Sequence, residues 1–162
     1  MHMKLAPPDE ESSSTLQPEF QPYKLHFVPE EKNLLLEHWR GVELFTDRVV
    51  ITQTGHYYMY SSVAFRPDSP LKCGDFQYQT WNNSILLTRP ENAAVGETLV
   101  TATHTCCDEC KHNQETTYAA GVFLLQTGDS INVEVSGSRL VSYKPQSTFF
   151  GLVLLGSYRT EG

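Results

Sequence analysis

The chain has 162 residues and a mass of 18.3 kDa, enough for one domain with a sizeable core. Charged residues make up 19%, below the roughly 25% usual in soluble domains, and 12 Lys+Arg against 19 Asp+Glu give a formal net charge of −7. That balance argues against a nucleic-acid binder or docking on an anionic membrane, and the longest apolar run, Phe149 to Gly156, falls far short of the ~20 residues of a bilayer span.

Residues 1–22 read as a tail. Met1-His2-Met3 resembles a cloning remnant and lacks the charged-then-apolar pattern of a signal peptide. Lys4 to Gln21 holds three prolines, a Ser12-Ser13-Ser14 run and the acidic Asp9-Glu10-Glu11, with little to bury. Such a segment cannot offset its ordering entropy and is expected to be a disordered stalk. Residues 23–162 are expected to form the folded domain.

From Pro29 to Arg40, Leu34, Leu35, Leu36 and Trp39 fit one face of a short helix ended by Gly41. The preferred reading is a strand leading into Val42-Glu43-Leu44-Phe45, because everything after it is strand-like. Arg48 to Thr52 is β-branched and apolar, and Thr54-Gly55 marks a turn. His56 to Phe65 is aromatic-rich and is broken by Arg66-Pro67-Asp68-Ser69-Pro70. Strands follow over Phe76 to Ile85, Thr98 to Thr105, Tyr118 to Gln126, Ser130 to Ser136 and Thr148 to Tyr158, with a tight turn at Thr127-Gly128-Asp129. Many short strands with few helices, no internal repeat and no collagen-like tract predict an all-β sandwich or barrel.

Ser130 to Ser136 alternates as a half-buried strand should, with Ile131, Val133 and Val135 against Asn132, Glu134 and Ser136. Three other strands are apolar on both faces. His56 to Phe65 carries Tyr57, Met59, Val63 and Phe65 on one side, and Tyr58, Tyr60 and Ala64 on the other. Tyr118, Ala120, Val122 and Leu124 oppose Ala119, Gly121, Phe123 and Leu125. Phe149, Val153 and Leu155 oppose Phe150, Leu152 and Leu154. A two-layer sandwich buries one face per sheet. The second face therefore needs a closed barrel, a covering segment such as the Leu-rich stretch before Gly41, or a subunit interface. The interface reading is preferred, since exposed aromatic patches of this size are rare on monomers.

Several segments together resemble the tumour necrosis factor homology domain. They are Gly55-His56-Tyr57-Tyr58-Met59-Tyr60-Ser61; Ala120-Gly121-Val122-Phe123-Leu124-Leu125 with Gly128-Asp129 following; Thr148-Phe149-Phe150-Gly151-Leu152; and Val42-Glu43-Leu44 ahead of Arg48-Val49-Val50-Ile51. Leu25-His26-Phe27 stands where the family's first inner strand starts, so the likeness covers residues 25 to 158. It implies a jelly-roll β-sandwich of two antiparallel sheets that assembles as a compact homotrimer. It further implies an extracellular cytokine, the ectodomain of a type II membrane protein or its shed form, that clusters cysteine-rich receptors.

By position, the resemblance places Tyr58, Tyr60, Tyr118, Phe149 and Leu155 at the trimer interface, where aromatic pairs add about 0.5–1.5 kcal/mol each beyond area burial. Receptor contacts would come from the loop Asp68 to Asp75 with Lys72, from the loop Arg89 to Glu97 with Arg89, Pro90 and Glu91, and from Arg139, Leu140, Tyr143 and Lys144. Many members carry a tyrosine near the tip of the second loop, where this chain has Arg89-Pro90.

Four cysteines remain. Cys107 and Cys110 have CxxC spacing, with Cys106, His104 and His112 nearby, but zinc usually takes two such pairs and only one is present. An extracellular chain favours disulfides. The resemblance pairs Cys73 with Cys106 or Cys107, a bridge worth about 4 kcal/mol in the chain-entropy model, and leaves the other two to pair together or stay free. Asn82-Asn83-Ser84 is an N-glycosylation sequon. No P-loop, GxGxxG, HExxH or GxSxG motif is present, so no enzyme, cofactor or metal is expected. The competing reading from another class is a complement-related trimeric recognition head or structural adhesion module.

Overall fold

A computed structural model describes residues 1–8, 23–29, 39–65, 80–105, 115–136 and 141–157. Twelve strands lie among them: β1 (His2–Ala6), β2 (Tyr23–Lys24), β3 (His26–Pro29), β4 (Val42–Leu44), β5 (Val49–Ile51), β6 (Gly55–Phe65), β7 (Thr80–Thr88), β8 (Glu97–Thr105), β9 (Glu115–Leu125), β10 (Ser130–Val135), β11 (Val141–Ser142) and β12 (Phe149–Ser157). Among the described residues a single 3-10 turn, Pro90–Asn92, lies between β7 and β8. No helix among the described residues is long and apolar enough to cross a membrane.

The strands form two sheets, and every pairing is antiparallel. The inner sheet runs β9-β6-β12-β1-β3, with β11 pairing the far end of β6. The outer sheet runs β4-β5-β10-β7-β8, with β2 on β10. The chain crosses repeatedly between layers: β3 inner, β4 and β5 outer, β6 inner, β7 and β8 outer, β9 inner, β10 outer, β11 and β12 inner. That alternation is a jelly roll.

The core lies between the sheets. Tyr57, Met59, Val63 and Phe65 of β6 and Phe150 and Leu152 of β12 meet Ile51, Ile85, Leu87, Ile131 and Val133 from the outer layer. One polar clasp crosses it. The Ser61 hydroxyl donates to Asn83 Oδ1 at 2.8 Å, and Asn83 Nδ2 donates back to the Ser61 carbonyl at 3.0 Å, with both side chains fully buried. Each polar group finds a partner, so the desolvation cost of burying them is met within the pair.

The N-terminus corrects the sequence reading. His2–Ala6 is not tail but strand β1, inserted between β12 and β3. Met3 and Leu5 are 0% and 1% exposed in the core, and the Met1 amine donates to the Leu152 carbonyl at 2.9 Å. The signal was a short period-2 alternation: Met3 and Leu5 point inward while His2, Lys4 and Ala6 do not. Leu25-His26-Phe27 accordingly leads into the second inner strand, not the first. The rest of the expected tail, residues 9–22, and the segment over which helix and strand competed, residues 30–38, lie outside the described residues.

The predicted strand centres hold, with ends shifted by a few residues. The Thr127-Gly128-Asp129 turn is present: Gly128 has φ +96°, and the Asp129 carboxylate accepts from the Gln126 N–H at 2.8 Å. This tight turn carries the chain from β9 in the inner sheet to β10 in the outer one.

Candidate functional site: the outward face of the inner sheet

Alternation along a strand sends every second side chain away from the core. On the inner sheet these outward residues form rows set by register. Tyr118, Ser62 and Phe149 share one row; Ala120, Tyr60 and Gly151 the next; then Val122, Tyr58 and Val153; then Leu124, His56 and Gly156. A bulge between Leu154 and Gly156 leaves Leu155 unpaired and turned outward. Tyr118 and Val122 are each 54% exposed and Leu155 59%, with Leu124 and Val153 nearly as open. A contiguous aromatic and aliphatic face is thus open to solvent in the single chain.

Part of the second apolar face is covered from within. Ser62 and Ala64, on the outward side of β6, are buried beneath the segment before β12. The Ser62 hydroxyl donates to the Ser147 carbonyl at 2.9 Å, and the Ala64 N–H donates to the Thr148 hydroxyl at 3.2 Å. The covering-segment reading therefore accounts for one end of β6, whereas Tyr58 and Tyr60 at its other half are only half-buried by the described residues.

Sequence reasoning grouped Tyr58, Tyr60, Tyr118, Phe149 and Leu155, and the fold brings all five to this face. The Tyr60 and Tyr118 rings stack at 6.3 Å and 16°, Tyr58 lies 5.7 Å from Tyr60, and Phe149 meets Tyr60 edge-on at 6.1 Å. The Tyr58 and Tyr118 hydroxyls are 3.0 Å apart. That hydrogen bond, then burial, then the neighbouring phenols push the Tyr118 hydroxyl up to about 12. Burial, followed by Tyr58, also raises Tyr60. The Tyr60 and Tyr118 phenols thus stay protonated to higher pH than an ordinary tyrosine, which suits a desolvated contact.

His2 belongs to the same cluster and was missed with the rest of β1. Its Nδ1 lies 3.0 Å from the Tyr60 hydroxyl, and its ring sits 4.8 Å from Phe149. Val122, Leu124 and Val153 extend the face; their positions on two-faced apolar strands were the signal that could have placed them.

The described loop residues fall into two groups at opposite ends of the sandwich, which the eleven-residue strand β6 spans. Arg89, Pro90 and Glu91 are exposed at the end of the sandwich where β6 begins. There the Asn92 N–H donates to the Arg89 carbonyl at 3.0 Å and the Val95 N–H to the Asn92 carbonyl at 3.2 Å, which tightens the loop. Tyr143 and Lys144 follow β11 at the opposite end, beside Phe65. Lys144 is exposed, whereas Tyr143 is half-buried against the core. Lys72, Arg139 and Leu140, and the cysteines Cys73, Cys106, Cys107 and Cys110, lie outside the described residues. Asn82 sits on β7, on the outer sheet's solvent face and away from the aromatic patch.

With this geometry in place, comparison with known proteins decides the lineage. The model of the TNF (Tumour Necrosis Factor) family matches residues 30–155. The chain belongs to the tumour necrosis factor family. It is 30% identical over 126 residues to mouse tumor necrosis factor ligand superfamily member 15, an alignment spanning 71% of this chain and 48% of that protein. It is 32% identical over 118 residues to cat tumor necrosis factor ligand superfamily member 6, spanning 71% of this chain and 39% of that protein. The chain thus spans about half the length of these tumour necrosis factor relatives, or less. The crystal structure of murine APRIL at pH 8.0 superposes with a TM-score of 0.66 at 24% identity, covering 95% of this chain and 96% of that one, and shows the same fold. Ligands of this superfamily are cytokines, not enzymes, in line with the lack of catalytic motifs in the sequence.

Proposed function

We propose that this chain is an extracellular cytokine ligand that assembles as a homotrimer through the outward face of its inner sheet and binds cysteine-rich receptors of the tumour necrosis factor receptor family. The observation that carries the reading is the apolar face on which Tyr118, Val122, Leu124, Val153 and Leu155 are exposed beside the half-buried rings of Tyr58, Tyr60 and Phe149. Its apolar rings and neutral phenols match an interior, not a solvated surface. A three-fold ring of heterologous contacts closes on itself and buries such a face in every copy.

Receptor contact falls to the loops at the two ends of the sandwich, which leave the aromatic face free for assembly. Arg89, Pro90 and Glu91 serve at one end and Tyr143 and Lys144 at the other, joined by Lys72, Arg139 and Leu140. Family membership supports the ligand role. Clustering of receptors follows from three equivalent grooves on one particle. The native chain acts at the cell surface through a type II anchor or as a shed form, with a bridge from Cys73 to Cys106 or Cys107 and the other two of the four cysteines paired together or free.

The test is a binding screen of the purified domain against a panel of cysteine-rich receptor ectodomains, with Arg89→Ala and Lys144→Ala as controls. Saturable binding to a panel member, weakened by both substitutions, is expected. No binding across the panel by a correctly assembled particle contradicts the receptor assignment.

A further inference from the structure

The exposed side of the outer sheet is polar where that of the inner sheet is apolar. On the outward side of β7 and β8, Asn82 stands opposite Thr103, and Ser84 opposite Thr101. The Ser84 and Thr101 hydroxyls are 2.9 Å apart, and the Thr103 hydroxyl donates to Asn82 Oδ1 at 2.9 Å. Asn82 is also the single asparagine, of six in the sequence, followed two residues later by Ser or Thr with no intervening proline.

Two adjacent asparagines let fold and motif be compared. Asn83 is fully buried, and both ends of its amide are held by Ser61. A glycan there would open the core. Asn82 points to the other side of the strand, where it is half-exposed, and it is Asn82 that begins the triplet. Thr103 engages its Oδ1, and among the described residues Nδ2, the atom that glycosylation modifies, makes no hydrogen bond.

We infer that Asn82 is an N-glycosylation site that carries an oligosaccharide on the outer-sheet face. This rests on the extracellular reading above, since transfer takes place in the secretory pathway. There Nδ2 forms a bond to C1 of the first N-acetylglucosamine of a lipid-diphosphate-linked oligosaccharide. The C1–O bond to the diphosphate breaks, the lipid diphosphate leaves with the electron pair, and one Nδ2 proton passes to a base of the transferase. The folded sheet accepts the product as it stands. Oδ1 keeps the Thr103 hydrogen bond, Nδ2 keeps one N–H, and the first sugar lies over the hydroxyls of Thr101 and Thr103. The glycan leaves from the layer opposite the aromatic patch, so it does not obstruct assembly.

The experiment is secretion of the full chain from eukaryotic cells behind a signal sequence, followed by peptide-N-glycosidase digestion, peptide mapping and light scattering. Expected is one digestion-sensitive glycan on Asn82, lost in both Asn82→Gln and Ser84→Ala. Secreted protein with no sensitive glycan, or a glycan that persists in both variants, overturns the site. The assembly mass is read on the same samples and on bacterially made chain. A glycosylated monomer would sink the trimer reading while leaving the glycan in place. An unglycosylated trimer would do the reverse.

Discussion

Tyr60 lies over Gly151, its register partner on the adjacent strand, so closely that a Cβ on Gly151 would collide with the ring's Cζ, Cε1 and hydroxyl. The missing side chain lets the ring settle across β12, where it is placed to stack with Tyr118 and meet Phe149 edge-on. Gly151→Ala is expected to lift the ring and cost about 1–3 kcal/mol through overpacking. In a Tyr60→Ala background the same change should cost close to nothing. Denaturant unfolding of the double-mutant cycle measures the coupling, and equal costs in both backgrounds would refute the contact's importance.

Tyr58 extends the pH range over which the Tyr118 phenol stays protonated. The hydroxyl contact is the largest of the causes that push Tyr118 from 10.0 up to about 12. Because the folded value lies above the unfolded one, its contribution to stability is complete below about pH 10 and is lost as pH rises from there to about 12. Tyr58→Phe should lower the Tyr118 titration toward its ordinary value and narrow that window. Phenolate absorbance against pH reads this directly, and an unchanged curve would rule the hydrogen bond out as the cause.

The Ser61–Asn83 clasp joins the two layers inside an otherwise apolar core. Asn83→Ala should strand the Ser61 hydroxyl and cost about 1–3 kcal/mol, as should Ser61→Ala for the Asn83 amide. The double variant should cost clearly less than the sum of the two. Strict additivity in chemical denaturation would mean the groups act separately.

Arg89→Ala should leave fold and assembly intact, because Arg89 is exposed and its carbonyl, not its side chain, tightens the loop. Receptor binding should weaken by about 1 kcal/mol or more, roughly fivefold in Kd. Surface plasmon resonance on a panel member reports it; a change in assembly mass instead would reassign Arg89 to the subunit contact.

Strands with their own punctuation were legible in the sequence. β6, β9, β10 and β12 are bounded by Gly, Pro or Asp and carry enough apolar residues for period 2 to show. The aromatic face was legible for a different reason: two-sided apolar strands do not fit a two-layer monomer, whatever the family. What escaped depended on contacts distant in sequence. His2–Ala6 is five residues beside a polar stretch, and only β12 and β3 make it a strand. The burial of Ser62 and Ala64 needs Ser147 and Thr148, more than eighty residues away. The Ser61–Asn83 clasp pairs two polar residues that no local pattern connects.

The measurement closest to the central claim is the solution mass of the purified domain by light scattering, alone and as Tyr118→Arg. Three times the 18.3 kDa chain mass is expected for the parent protein. Tyr118 stands on the open face against Tyr58 and Tyr60, so an arginine there places a charge inside the subunit contact and should abolish the trimer. A stable, folded single chain at micromolar concentration, or a Tyr118→Arg protein that still forms a trimer, would contradict it.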